Sequence, residues 1–404
     1  MKVLNKIKEN SESGLSVLSS FIAILAGLLV GLVVLLFTDY TQAFPAFINI
    51  LTFVFQEIRN VGQVLYFATP LIMTGLAVGF AMKTGLFNIG ASGQYTFGAF
   101  IAIFIAVEAT FLPVPIRVVC SLLAAVAAGA LWGAIPGLLK AFRNVHEVIS
   151  CIMTNWIGIF LVNHIISQTI IDRGRNATPH IVYGNGTLPS LGLGELFQGD
   201  SVRPSAVNSG LIIALVMAIL IYIILDKTKF GYELKSCGLN RNAAQYAGIN
   251  EKRNIITSMM ISGGLAGLGG GLHFLAGAGA TMQVADVLAT EGFTGISVAL
   301  LGMSNPIGIV FGAILVSYLQ IGGSHIQAFG FAPEIIEMVI AVIIYFCAFV
   351  LLIKMGLKKV GKKEGSEDTE DKQESEFPPD DGPPDGLQPP VSPIQTQEEG
   401  GDVR

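Results

Sequence analysis

Apolar runs of about bilayer-spanning length, ~20 residues, recur along this chain and are separated by short polar or charged breaks. Their pattern predicts helices over about 15–37, 61–82, 115–139, 147–170, 209–225, 254–277 and 334–354. Three shorter or glycine-interrupted runs, 86–107, 292–303 and 306–321, bring the expectation to about ten crossings. The first run is too long for a signal-peptide core and lacks a small-x-small cleavage site, so it reads as an uncleaved membrane helix. Between the first two helices, Asp39, Pro45, Glu57 and Arg59 mix with Phe44, Phe47, Phe53 and Phe55, a composition suited to the membrane interface. Residues 171–208 form a polar loop rich in Gly and Pro. The expected fold class is an all-α polytopic membrane protein.

Charge sets the sidedness. With both ends inside, the inside segments carry seventeen basic residues and the outside ones five: Arg59, Arg117, Arg173, Arg175 and Arg203. That bias favours a cytoplasmic N-terminus (1–14), an external loop 171–208 and a cytoplasmic loop 226–253, within a membrane domain spanning 15–354. The tail, 355–404, differs in kind. From Glu364 onward it has thirteen acidic residues, two basic ones and seven prolines, so it is expected to be a disordered cytoplasmic segment. Its charge of −11 conceals +6 on the rest of a chain whose total is −5, so the acidic balance says nothing about a substrate.

Composition narrows the chemistry. Hydrophobic residues make up 52% and charged ones 13%, which excludes an ordinary soluble domain. Cys120, Cys151, Cys237 and Cys347 are scattered without metal-type spacing and imply neither a zinc site nor a disulfide framework. No G-x-x-x-x-G-K-[ST] stretch is present, so ATP is not bound here by that motif.

Two stretches break the helix rule inside the membrane. One runs from Lys83 to Gly98 and includes Phe87, Asn88, Ser92 and Gln94. The other runs from Glu291 through Phe293 and Gly295 to Asn305-Pro306 and Gly308. Unpaired backbone groups in lipid are costly, so such breaks must be buried or line a wet cavity. Paired breaks in the two halves point to an inverted repeat around a central pathway. The glycines from Gly263 to Gly271 instead suit close helix packing. Phe87, Asn88, Gln94, Asn155, Trp156 and Phe293 are the candidate pathway residues. Tyr95 and Phe274 could also stack on a flat ligand, although aromatic residues in membrane helices mostly pack or anchor. His164, His273, Glu291, Glu334 and Glu337 are further polar candidates, with His164, Glu291 and Glu334 expected near watered helix ends. Gly90-Ala91-Ser92-Gly93 with His273 would fit a rhomboid-type intramembrane protease, Ser92 as nucleophile and His273 as base, but that reading explains neither the basic loop nor the second break. A secondary transporter fits the inverted repeat better, yet lacks an acidic residue securely inside the membrane.

The basic stretch Asp226–Arg253 separates two apolar runs. Within it, residues 240–247 predict a short helix capped by Asn240, small along one side and stopped by Gly248. Such a helix is either a docking element for another subunit or a solvated connector.

Four sets of residues carry a family resemblance. They are Gly85-Leu86-Phe87-Asn88-Ile89-Gly90 with Gly93-Gln94; Glu147-Val148-Ile149-Ser150 with Asn155; Gly238-Leu239-Asn240 with Ala243-Ala244 and Tyr246-Ala247-Gly248-Ile249; and Val298-Ala299-Leu300-Leu301-Gly302 with Asn305-Pro306. Over about 60–350 the chain resembles the permease subunits of ABC importers, the group that includes ribose, galactose and branched-chain amino acid permeases. The Phe-Asn-Ile-Gly and Ala-Leu-Leu-Gly versions are similar to the nucleoside-type branch, associated with a basic membrane lipoprotein. Ser92, where that branch often has an acidic residue, and the acidic tail depart from the pattern. The resemblance implies a bacterial plasma-membrane protein paired with a second homologous permease, a cytoplasmic ABC ATPase and an extracytoplasmic substrate-binding lipoprotein. It implies no bound cofactor and no catalysis in this chain, with ATP and Mg held by the ATPase. Gly238, Asn240, Ala243, Ala244, Gly248 and Ile249 would form the coupling helix region. Nucleosides are the expected substrate, with a sugar or a branched-chain amino acid as alternatives.

Overall fold

The structure, a computed structural model, describes residues 2–181, 186–199 and 205–349, with 352, 353 and 355. The acidic tail and the lysines at 354, 358, 359, 362 and 363 lie outside the described residues. The described chain is helical, in the order α1 (Lys2–Thr38), α2 (Ala43–Gln56), α3 (Ile58–Lys83), α4 (Ala91–Glu108), α5 (Val114–Arg143), α6 (Glu147–Gln168), α7 (Leu193–Leu196), α8 (Ser209–Lys227), α9 (Lys229–Leu239), α10 (Arg241–Tyr246), α11 (Glu251–Phe274), α12 (Thr290–Leu301), α13 (Pro306–Ser324) and α14 (Pro333–Ala348). Among the described residues, eight helices are long and apolar enough to cross a membrane. The chain is an all-α, multi-pass membrane protein.

The sequence places the helix starts. Asn208, Thr228, Asn240, Asn250 and Asn305 each turn a side-chain oxygen onto a first-turn amide, and Pro306 follows its cap at the first helical position. Lys83, Lys140, Arg143 and Lys227 cluster in last turns, marking one end of the bundle as basic.

At the centre stands α11, packed by α3, α4 and α5. Its small face lets backbones touch: a Cβ added at Gly98 of α4 would sit 2.3 Å from the Cα of Gly267, and one added at Gly267 would sit 2.4 Å from the carbonyl oxygen of Ala125 on α5. Lipid offers little hydrophobic drive between helices, so this close contact supplies the attraction. A second, smaller core joins α1, α2, α13 and α14 through Leu35, Ala46, Ile50, Leu319, Val339 and Ile343. The segment expected at the interface is thus the amphipathic helix α2. It buries Ala43, Ala46, Ile50 and Val54 and leaves Phe44, Ile48 and Phe55 exposed.

Two expectations need correction. The basic stretch 226–253 holds two helices, not one, because α9 forms despite Gly231 and Gly238. Tertiary contact overrides weak propensity there: each glycine abuts backbone, Gly231 at Ile224 and Leu225 and Gly238 at Thr84 and Gly85. The second predicted break, Glu291 to Gly308, is unwound only at 302–305. Residues 290–301 are continuous helix, and the non-helical segments flank it at 275–289 and 302–305. Gly292 and Gly295 do not break α12; they are its contact points, against Ser92 and Thr74.

Opposite the basic end, the loop after α6 is pinned to the segment after α11. Thr178 donates to the Met282 carbonyl (2.9 Å), Val284 to Asn176 (2.9 Å) and Leu188 to Leu275 (2.7 Å).

Replacing Gly267 with Leu forces α4 and α5 off α11, and overpacking of this kind costs about 1–3 kcal/mol or more. The detergent-purified protein should melt clearly lower. Gly264→Ala, whose added Cβ meets its nearest neighbour at 3.3 Å, should cost far less.

Candidate functional site

Both breaks start helices inside the bundle. The α3 helix ends at Lys83, Gly85 takes φ +73°, and the chain stays unwound until α4 begins at Ala91. From the other end, 275–289 leads down to the start of α12. The two starts meet. A Cβ on Gly292 would lie 2.4 Å from the amide nitrogen and Cα of Ser92, and the Ser92 hydroxyl donates to the Ala289 carbonyl (2.8 Å). The α12 helix runs beside α3 toward the basic end, turns through left-handed Met303 and Ser304, and α13 returns.

Polar side chains stitch the first break. Asn88 donates to the Gln94 carbonyl oxygen (2.7 Å) and to the Ser262 hydroxyl (2.7 Å), while the Gln94 amide returns a bond to Asn88 (3.2 Å). Ser262 donates in turn to the Ala77 carbonyl (2.6 Å). Asn155 of α6 clamps both sides of the unwound turn, accepting from the Gly93 amide (2.9 Å) and donating to the Ile89 carbonyl (3.0 Å). All three amides are fully buried. Ser262 lies eleven residues into α11, about 16 Å from its start, so this network sits near mid-membrane.

The structure brings Asn88, Gln94 and Asn155 together around the unwound turn. It does not bring the aromatic candidates to them. Trp156 points outward and stacks on Phe160 (5.9 Å). Phe293 is exposed and, two residues along the helix, faces away from Glu291. Phe87 is half-buried within the break. Ser92 and His273 do not pair: Ser92 is bonded to Ala289, and His273 Nδ1 lies 2.7 Å from the Tyr95 hydroxyl. The arrangement a serine nucleophile needs is absent between them.

At the basic end, the coupling candidates divide by exposure. Asn240 caps α10, and Gly248 turns the chain with φ +80°. Ala243 is exposed, Ile249 is half-buried, and Ala244 is buried, so it belongs to the support of α10 rather than to its outer face. Leu239 at the end of α9 and Tyr246 on α10, 89% and 95% exposed, form the outer surface of this helix pair. Behind them, Gly238 rests on the start of the first break: a Cβ on Gly85 would lie 2.6 Å from the Gly238 Cα. Thr84 shares a short hydroxyl bond with Ser258, and Asn254 donates to the Cys237 sulfur (3.4 Å). The outer helix pair and the unwound turn are therefore in direct backbone contact.

Two half-helices meeting in the membrane, one of them linked to an exposed helix pair at the basic end, fit a transport subunit. The family model described as branched-chain amino acid transport system / permease component matches residues 60–348. This chain belongs to that permease family. It is 38% identical to the guanosine ABC transporter permease protein NupP of Bacillus subtilis, over 85% of this chain and 96% of that one. It is 35% identical to the nucleoside ABC transporter permease protein NupB of Lactococcus lactis, over 89% and 98%. A second guanosine ABC transporter permease protein of Bacillus subtilis, NupQ, is 29% identical over 67% and 84%. As in any permease built on a half-helix, the unwound turn has to be paired by the protein itself.

Asn155→Leu removes both clamp bonds and leaves a buried carbonyl and amide unpaired, at about 1–3 kcal/mol each. The purified variant should melt several degrees lower than wild type. An unchanged melt would mean that Asn155 does not hold the turn.

Proposed function

We propose that this chain is the membrane-spanning subunit of an ATP-driven nucleoside importer, working by alternating access. The observation that carries the coupling half of this reading is the contact of Gly238 with Thr84–Gly85. It joins an exposed helix pair to the very residues where α3 unwinds. The substrate half rests on the relatives named for guanosine and nucleosides.

In this reading the basic end faces the cytoplasm, both ends of the chain lie there, and the membrane is the bacterial plasma membrane. A separate ABC ATPase, holding ATP and Mg, docks on Leu239, Ala243, Tyr246 and the turn at Gly248. Closure of the ATPase pair pushes α10 and α9, Gly238 presses on Thr84–Gly85, and the unwound turn carries the displacement to Asn88 and the start of α4. A ligand moves such an equilibrium only through contacts that differ between the two states, and the α10 face is where those differential contacts form. A second permease completes the pathway; two guanosine permease proteins of one organism, both similar to this chain, support that pairing. A lipoprotein delivers the substrate to the opposite end. The pathway role of Phe87, Asn88, Gln94 and Asn155 belongs to this proposal, as does the division into a short cytoplasmic N-terminus, a membrane domain and a cytoplasmic tail.

Cells lacking this gene should lose uptake of labelled uridine and adenosine and keep uptake of ribose, and the intact gene should restore it. Loss of ribose uptake alone would make the substrate a sugar. Replacing Leu239 and Tyr246 together with Ala should weaken ATPase docking by at least about thirtyfold, the scale of a buried hot spot. Pull-down of the ATPase by the solubilised permease measures it. Both side chains are exposed, so the melt of the isolated permease should not move. In contrast, Ala244→Glu should lower that melt, because it buries a charge beneath α10.

A further inference from the structure

Where α12 begins, the protein holds an acidic side chain inside the membrane. Glu291 lies in the first turn of α12. Gly295, one turn on, is seated against Thr74 of α3, where an added Cβ would meet the Thr74 hydroxyl oxygen at 2.6 Å. Thr74 is nine residues from Lys83, so Glu291 stands about 20 Å above the basic end, within a hydrocarbon layer of about 30 Å. It is at a helix end, as its sequence position indicated, but that end is intramembrane. An ionisable group at such depth is costly to keep and marks a functional position by default.

Its surroundings are built. His273, at the end of α11, brings Nδ1 to 3.6 Å from the carboxylate, and the same nitrogen lies 2.7 Å from the Tyr95 hydroxyl. The rings of Tyr66, Phe67, Tyr95 and Phe274 enclose the imidazole at centroid distances of 4.9–6.5 Å. A separation of 3.6 Å is too long for a hydrogen bond. Among the described residues no hydrogen bond reaches the carboxylate, so its acceptors stay open. The amides at the start of α12 favour its charge. Nor is the group sealed: its side chain is 25% accessible, and Phe67, against the same imidazole, is 36% exposed.

We propose that Glu291, positioned by His273 and Tyr95, is the intramembrane contact for the ribose diol of a nucleoside, with Phe67 offering its ring to the base. This rests on the nucleoside reading above. A carboxylate has two acceptor oxygens and no donor. Two vicinal hydroxyls supply two donors at matching spacing. The relatives are named for guanosine and for nucleosides in general. Such substrates differ at the base edge and share the ribose, so an acidic anchor for the sugar serves them all, and an aromatic face accepts any base.

The test is uptake by the complete importer in cells, comparing uridine with 2′,3′-dideoxyuridine for wild type and E291Q. The preference of the delivering protein is common to both chains and cancels when the two ratios are compared. E291Q should cut uridine uptake about tenfold, the scale of a hydrogen bond to a charged group, and bring the uridine to dideoxyuridine ratio toward one; E291D should restore part of it. An unchanged ratio in E291Q, with wild type importing uridine, overturns this inference and leaves the nucleoside reading standing. A wild type that ignores uridine and imports ribose overturns both. If E291Q fails to assemble, F67A decides, since Phe67 is exposed: uridine uptake should fall severalfold at an unchanged amount of complex, and unaltered uptake overturns the proposal.

Discussion

A backbone amide or carbonyl that leaves a helix inside a bilayer finds no water, and each one left unpaired costs several kcal/mol. The protein unwinds its chain within the bundle at 84–90 and again above α12, so it must supply the partners itself. It does so with few side chains. Asn155 holds the Ile89 carbonyl and the Gly93 amide, Ser92 holds the Ala289 carbonyl, and Asn88, Gln94 and Ser262 hold one another. These bonds require α4 to lie almost in backbone contact with both α11 and α6, which Gly267 and Gly270 permit on one side and Gly93 on the other. Packing and polar pairing are thus one constraint: without the close approach the amides do not reach, and without the amides the turn cannot stay unwound.

The same closeness gives the molecule a mechanical path. Gly238 has no side chain to cushion it from Gly85, so α9 and the start of the first break move as neighbours. Ser258 and Asn254, on the first turns of α11, tie Thr84 and Cys237 to the central helix. The exposed helix pair therefore touches the chain where the backbone is least constrained by its own helical bonds. The half-helices then meet at Ser92 and Gly292, so a change at either start is felt at the other.

Charge is used sparingly within this frame. The ion pairs among described residues lie mostly toward the ends, as with Lys140–Glu147 (2.8 Å) and Lys235–Asp226 (2.8 Å). Away from the ends, beside the junction of the half-helices, Glu291 has the imidazole of His273 3.6 Å from its carboxylate, and Phe67 lies against that imidazole. No direct hydrogen bond joins carboxylate and imidazole, since 3.6 Å is too long for one.

Apolar run length and the bias of Lys and Arg toward one end determined the class, the order of the helices and the basic end, because both properties are local and additive along the chain. The same locality made the Asn240 cap and a break after Lys83 legible before any fold was known, although the sequence pattern carries that break to Gly98 and the chain is helical again from Ala91. What the chain could not reveal by itself was which glycines break a helix and which let one touch another. Gly85 does the first, with φ +73°, whereas Gly292 and Gly295 do the second inside an intact helix. Nor could it tell that Ala244 faces inward while Leu239 and Tyr246 face out, or that Tyr95, His273 and Glu291, 178 and 18 residues apart in turn, share one place. Those are properties of how helices cross, and a crossing is fixed by contacts between residues far apart in sequence, which only the folded chain brings within reach.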